Sequence, residues 1–177
     1  MAKRSNHYEA AFEAYLRERG VPYVAVDETR RSLVGQDSLK CVDFIVSPVQ
    51  GGSWLVDVKG RRFPSGEQPY YWKNWTTLDD LRSLGRWEQL FGEQFGGLFV
   101  FAYNVLGCRS PLAAEQLFKF RGSAYAFLAV RLGDYARWGR TISPRWETVA
   151  MPTGVFRTMA IPFETLLEPP RAAACSA

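Results

Sequence analysis

The feature that most constrains the fold of this chain is a pair of alternating segments, residues 41–47 and 53–59, joined by a turn-forming stretch, Pro48 to Gly52. Successive side chains of a strand point to opposite faces, so two such runs around a short turn read as a β-hairpin. In the second run Leu55, Asp57 and Lys59 share one face, and Trp54, Val56 and Val58 the other. In the first run Val42, Phe44 and Val46 face one side, and Cys41, Asp43 and Ile45 the other. Positions 43 and 57 are equidistant from Gln50, so a turn centred there sets the two aspartates directly opposite. A turn centred on Gly51 and Gly52 slips that register. Like charges facing each other across strands are destabilising, so the first arrangement implies a cation close by.

The flanking sequence builds an α/β frame around this hairpin. Residues 6–19 carry Tyr8, Phe12, Tyr15 and Leu16 at helical spacing and end at Gly20. Glu9 lies about 100° from Tyr8, at the border of that apolar face, from which a carboxylate can reach inward. Residues 22–26 form a short apolar strand, and 27–40 are a polar stretch containing Arg30 and Arg31. After the hairpin, 60–75 read as a basic, aromatic loop. Thr76 or Thr77, each with an aspartate three residues on, caps a helix expected to run to about Phe95, with Leu81, Leu84, Phe91 and Phe95 as its buried stripe. Residues 98–103 are a continuous apolar strand, of the kind buried on both faces of a sheet. Beyond them, 125–132 read as a strand, Asp134 opens a helical turn, 146–151 are extended, and 163–167 make a last short helix. The reading is one domain over 1–168, with a core at 5–103, an aromatic-rich α+β extension at 104–168, and a disordered tail at 169–177.

Composition removes several chemistries. A single histidine, His7, leaves nothing for a Ser-His-Asp triad or a histidine-rich zinc centre, and there is no Gly-rich phosphate loop. Three distant cysteines, odd in number, argue against a disulfide framework and fit a reducing cytoplasm. No run approaches a membrane span, so no membrane partner is expected. Whatever chemistry exists must run on carboxylates and lysine, with or without a metal.

Glu9 in SNHYEAAFEAYLRERG, Asp43 in KCVDFIV and the Asp-Val-Lys of WLVDVKG stand on a helix, a strand and the next strand. In this order the sequence resembles the PD-(D/E)XK nuclease superfamily, which includes type II restriction enzymes and archaeal Holliday-junction resolvases. The resemblance covers roughly residues 5–103, with Val42 where a proline often precedes the first aspartate. It implies a restriction-endonuclease-like core of helix, three-strand meander, helix and strand. It further implies a metal-dependent nuclease acting on nucleic acid, DNA above RNA, with Glu9, Asp43, Asp57 and Lys59 as catalytic residues. Mg²⁺ or Mn²⁺ would be held by Glu9, Asp43, Asp57 and the Val58 carbonyl. Physical chemistry runs parallel. Phosphodiester hydrolysis needs a charge sink and an activated water, which a hard cation on carboxylates supplies. Asp57 and Lys59 project the same way about 6.6 Å apart, so one can hold the metal while the ammonium serves the water or steadies the transition state.

Cations and rings follow directly. Arg61, Arg62, Tyr70, Trp72 and Lys73, with Arg30 and Arg31 upstream, are the expected nucleic-acid contacts, the arginines on phosphates and the rings on bases. Against this stands a plainer reading in which the loop folds its rings over the sheet edge. A homodimer would supply two active sites for two strands. The alternative is a catalytically inactive nucleic-acid- or protein-binding module on the same fold.

Overall fold

The computed structural model describes residues 6–27, 31–49, 51–65 and 72–167. Arg30, Tyr70 and the tail 169–177 lie outside the described residues. In chain order the elements are α1 (His7–Glu18), β1 (Tyr23–Ala25), β2 (Arg31–Val34), β3 (Asp37–Lys40), β4 (Phe44–Val46), β5 (Ser53–Phe63), β6 (Thr76–Thr77), α2 (Leu78–Phe91) and β7 (Phe95–Val105). There follow β8 (Phe118–Phe120), β9 (Ser123–Arg131), α3 (Leu132–Trp138), β10 (Arg140–Ser143), β11 (Thr148–Ala150), α4 (Thr153–Met159) and β12 (Ile161–Pro162). Single 3₁₀ turns occupy Ala114–Gln116 and Phe163–Leu166.

The main sheet has the order β1-β4-β5-β7-β9-β12, with β8 on β9. The pair β5–β7 is parallel and the rest antiparallel. A parallel neighbour needs a crossover connection, and α2 supplies it. The helix, three-strand, helix, strand order is therefore present, and the C-terminal extension continues the same sheet through β9. Apolar alternation splits the core in two. On one face Phe12, Tyr15 and Leu16 of α1 pack on Phe44, Val46, Val56, Val58, Leu98 and Val100. On the other, Leu84 of α2, Tyr135 of α3 and Phe156 of α4 pack with Leu55, Phe63, Phe99, Phe101 and Tyr103. The strand β7 is buried from Gly97 to Tyr103, as a doubly covered strand must be.

Four local expectations change. The polar stretch at 27–40 contains a hairpin, β2–β3, turning at Gly35 with φ +63° and burying Leu39. Helix α2 stops at Phe91, because Gly92 adopts φ +85° and the chain turns. Phe95 opens β7, and Phe91 is 39% exposed, packed edge-on against Trp87 and Phe95. Residues 60–63 belong to β5 and not to a loop, since their backbone is paired with Ala102 to Val105 of β7. Val42 joins the second core cluster while Phe44 joins the first, because the chain bends at Asp43 before β4 begins.

Candidate active site

Asp57 and Lys59 sit in the middle of β5, and strand parity sends them to the face covered by α2. Lys59 Nζ lies 2.8 Å from Asp57 Oδ1 and 3.0 Å from Asp80 Oδ2 of α2, with all three side chains largely buried. Asp80 is placed by the start of its own helix. Thr77 is the N-cap, its hydroxyl accepting from the Asp80 N–H at 3.1 Å. Asp80 Oδ2 in return accepts from the Thr77 N–H at 3.0 Å and the Thr76 hydroxyl at 2.9 Å. This reciprocal box satisfies donors that a helix start would otherwise orphan. The helix cap and the lysine thus share one carboxylate.

A chain of alternating charges continues outward. Lys40 Nζ lies 2.7 Å from Asp80 Oδ1 and 3.7 Å from Asp79, and Arg31 lies 2.9 Å from Asp79. From the surface inward the order is Arg31, Asp79, Lys40, Asp80, Lys59, Asp57. The hairpin β2–β3 is thereby tied to the first turn of α2 and, through it, to β5.

The two carboxylates on Lys59 differ electrostatically. Burial pushes the Asp57 pKa up; Lys59 opposes this incompletely, and the neighbouring Asp80 charge adds to it. Burial also acts upward on Asp80, but Lys59, Lys40 and the Thr77 donors outweigh it and hold that carboxyl well below the usual carboxylate range. Burial pulls Lys59 down, but Asp57 and Asp80 outweigh it and hold the ammonium well above the ordinary lysine value. Lys59 is a fixed cation at neutral pH. It can donate to a phosphate oxygen or a water, and it cannot act as a base while both acids remain on it.

Asp43 lies one residue before β4. The antiparallel register pairs Phe44 with Val56; carried one residue further, it sets Asp43 across from Asp57, as a turn centred on position 50 requires. The Asp43 N–H donates to the Val56 carbonyl at 2.9 Å, and its Oδ2 accepts from the Val58 N–H at 2.6 Å. The carboxylate stands where the β4 ladder has no carbonyl to offer. Glu9 is only 2 % exposed, on α1, with Oε1 accepting from Asn6 Nδ2 at 2.5 Å. Its helix covers the face of Val56 and Val58, opposite the face of Lys59. Among the described residues no three acidic, histidine or cysteine side chains gather closely enough to hold a metal ion by themselves. The donor set still suits Mg²⁺, which takes one or two carboxylates and completes its shell with water and phosphate oxygens. Asp43 and Asp57, opposite in register, are the candidates for such a pair.

The expected nucleic-acid contacts divide. Arg62 and Lys73 are exposed. Arg31 is exposed but engaged by Asp79 and Ser38. Arg61 lies 4.1 Å above the Trp75 ring and donates to the carbonyls of Gly60 and Trp75. Its Nε is, among the described residues, a buried donor without a partner. Trp72 packs edge-on against Phe63 and Phe156 with Arg157 above it, which is the plainer reading of that ring. Asp80 and Lys40 were not expected at the site. The spacing Thr77 to Asp80 identifies a capping box, but nothing in it says that the same carboxylate reaches a lysine 21 positions upstream.

No family model matches this sequence, and no curated protein is similar to it. Among solved structures it is similar to Hjc of Archaeoglobus fulgidus, a Holliday junction resolvase from an archaeal hyperthermophile. The two share 12% identity, over 92% of this chain and 98% of that one, at a TM-score of 0.52. That likeness supports a restriction-endonuclease-like fold.

Proposed function

We propose that this chain is a metal-dependent nuclease that hydrolyses phosphodiester bonds, with DNA as its substrate. The observation that carries the reading is the pairing of Asp57 and Lys59 on β5, with Asp43 opposite in register, on a fold shared with a Holliday junction resolvase. Asp43 and Asp57 would hold Mg²⁺ or Mn²⁺, with Glu9 and the Val58 carbonyl as further proposed donors. A metal there supplies charge neutralisation and an activated water.

The chain's own residues do the rest. Lys59, held protonated, donates to the non-bridging phosphate oxygen as charge builds on it. An incoming phosphate is an oxyanion, like the Asp80 carboxylate, and replaces it as the second partner of Lys59. Asp80 gives up that bond and keeps Lys40, Thr76 and Thr77. Asp43 fixes the Val58 amide and so holds Asp57 and Lys59 at constant spacing. Arg62 and Lys73 take flanking phosphates, and a homodimer provides a site for each strand. The free thiols of Cys41 and Cys108 suit a reducing cytoplasm, and no described helix is long and apolar enough to cross a membrane.

One observation favours the second reading, a binding module without catalysis. The space enclosed by Lys40, Asp57, Asp80 and Ser83 is about 10 Å³, too small for a phosphate. The test is cleavage of plasmid, single-stranded and branched DNA and RNA with Mg²⁺ or Mn²⁺. Asp57→Asn and Lys59→Met should each lower the rate about a hundredfold or more. Retained cleavage in both variants, or none in the parent, removes the catalytic reading. Glu9→Gln is scored separately: loss of the metal response assigns it as a ligand.

A further inference from the structure

Among the described residues, three large apolar side chains stand exposed together on the outer side of the small sheet β10-β11-β6. Trp146 is 69%, Ile142 58% and Trp75 38% exposed. With Thr77 and Thr148 they line a groove of about 430 Å³. A second groove of about 260 Å³ shares Trp75 and Ile142 and adds Lys73 and Arg140. Neither lining contains an aspartate or glutamate. Arginines already lie over the rings, Arg61 at 4.1 Å from Trp75 and Arg145 at 5.3 Å from Trp146.

The surface is held rigid from beneath. Asn74 bridges to Met151 through two hydrogen bonds, of 2.8 and 3.1 Å. The Tyr135 hydroxyl donates to the carbonyls of Asn74 and Val149 at 2.6 and 2.9 Å. The strand β6 is paired with β11 through Thr77↔Thr148. The backbone next to Trp75 and the strand that follows Trp146 are therefore held in place before any ligand arrives, which reduces the ordering cost of binding.

We infer that this face is a stacking platform for unpaired nucleotides, the bases lying on Trp75 and Trp146 and the phosphates on Lys73, Arg140 and Arg145. Flat indole faces accept any base, but only a base whose own face is free of its neighbours. A duplex hides those faces. Three cations, Lys73, Arg140 and Arg145, against one exposed acid, Glu147 beside Trp146, favour a polyanion over a protein partner. Continuity places the platform beside the proposed active site. Thr77 lines the groove and also caps the helix whose Asp80 holds Lys59, and Arg61 follows Lys59 by two residues on β5, about 7 Å along the strand. The inference rests on the nuclease reading and deepens it, naming an unpaired segment as the part of the substrate bound beyond the scissile bond.

The test is titration of the full chain, in chelator, with a 15-nucleotide oligo-dT, an oligo-U of equal length and a blunt duplex, following tryptophan fluorescence. Quenching and tighter binding of the single strands are expected. Trp146→Ala should weaken them about tenfold, a common loss for one stacked base, with duplex affinity changed less than twofold and the melting temperature unchanged. Trp146→Phe should recover most of the loss. A preference for dT or U separates DNA from RNA as the source of the strand. Equal binding of single strand and duplex, or no effect of Trp146→Ala, overturns the platform. So does a concentration-dependent dimer of the parent that Trp146→Ala abolishes, since the face would then belong to a second copy. Binding is read without metal, so it separates from the nuclease reading. A platform that binds in a chain that never cleaves sinks only the latter.

Discussion

Asp57 and Asp80 share one ammonium, yet their neutralisation should act on stability with opposite signs. In metal-free protein Asp80→Asn removes a carboxylate that holds two cations and caps α2. An asparagine oxygen at the Oδ2 position keeps the Thr76 and Thr77 donors, so the loss is confined to Lys59 and Lys40. The buried, charge-assisted bond to Lys59 contributes roughly 1.5–3 kcal/mol, and the half-exposed Lys40 adds under about 1 kcal/mol. A total of about 3 kcal/mol lowers the melting temperature by roughly 6–12 °C in a chain of this size. Asp57→Asn should raise it, because folding disfavours the charged form of Asp57 through burial and the Asp80 charge beyond what Lys59 offsets. The pH dependence fixes the signs. The folded pKa of Asp80 is depressed, so its contribution is present above the unfolded value of about 3.9 and is lost as pH falls below it. The deficit of Asp80→Asn should hold from pH 5 to 8 and shrink below about pH 4. The folded pKa of Asp57 is raised, so the advantage of Asp57→Asn should be full above that raised value and vanish below about pH 4. Thermal melts of the three proteins in chelator across this range make the measurement. Shifts of the same sign at pH 7 would refute the unequal electrostatics of the two carboxylates.

Added metal should stabilise the parent and not Asp57→Asn. With a dissociation constant of about 1 mM and 10 mM Mg²⁺, mass action gives roughly 1.4 kcal/mol, a rise of about 3–6 °C that Asp57→Asn should not show. Gly60→Ala should destabilise by about 1–3 kcal/mol, since its new methyl would lie 2.1 Å from the Tyr8 ring; melts with and without Tyr8→Leu check it, the second change restoring part of the loss. Arg62→Ala should weaken nucleic-acid binding and lower its salt slope by about one without moving the melting temperature, as measured by titration at two salt concentrations. Arg61→Ala should lower the melting temperature as well, because Arg61 is bonded to Gly60 and Trp75.

The sequence by itself determined what rests on period and on turn chemistry. The alternation of 53–59 set Asp57 and Lys59 on one face, and the spacing of Tyr8, Phe12, Tyr15 and Leu16 set α1 on the sheet. These are local rules, in which each side chain's direction follows from its own strand or helix. Of the two registers open to Asp43, the structure took the one centred on position 50, against Asp57. Only the tertiary structure decided which helix covers which face. Asp57 and Lys59 look toward α2, so the second partner of Lys59 is Asp80, while Glu9 sits on α1 behind the opposite face. The hairpin β2–β3 escaped the pattern because its burial is slight, with Leu39 buried and Leu33 left 80% exposed. The platform escaped too. Trp75 and Trp146 lie 71 residues apart and meet only because β6 pairs with β11, a long-range contact that no local period encodes.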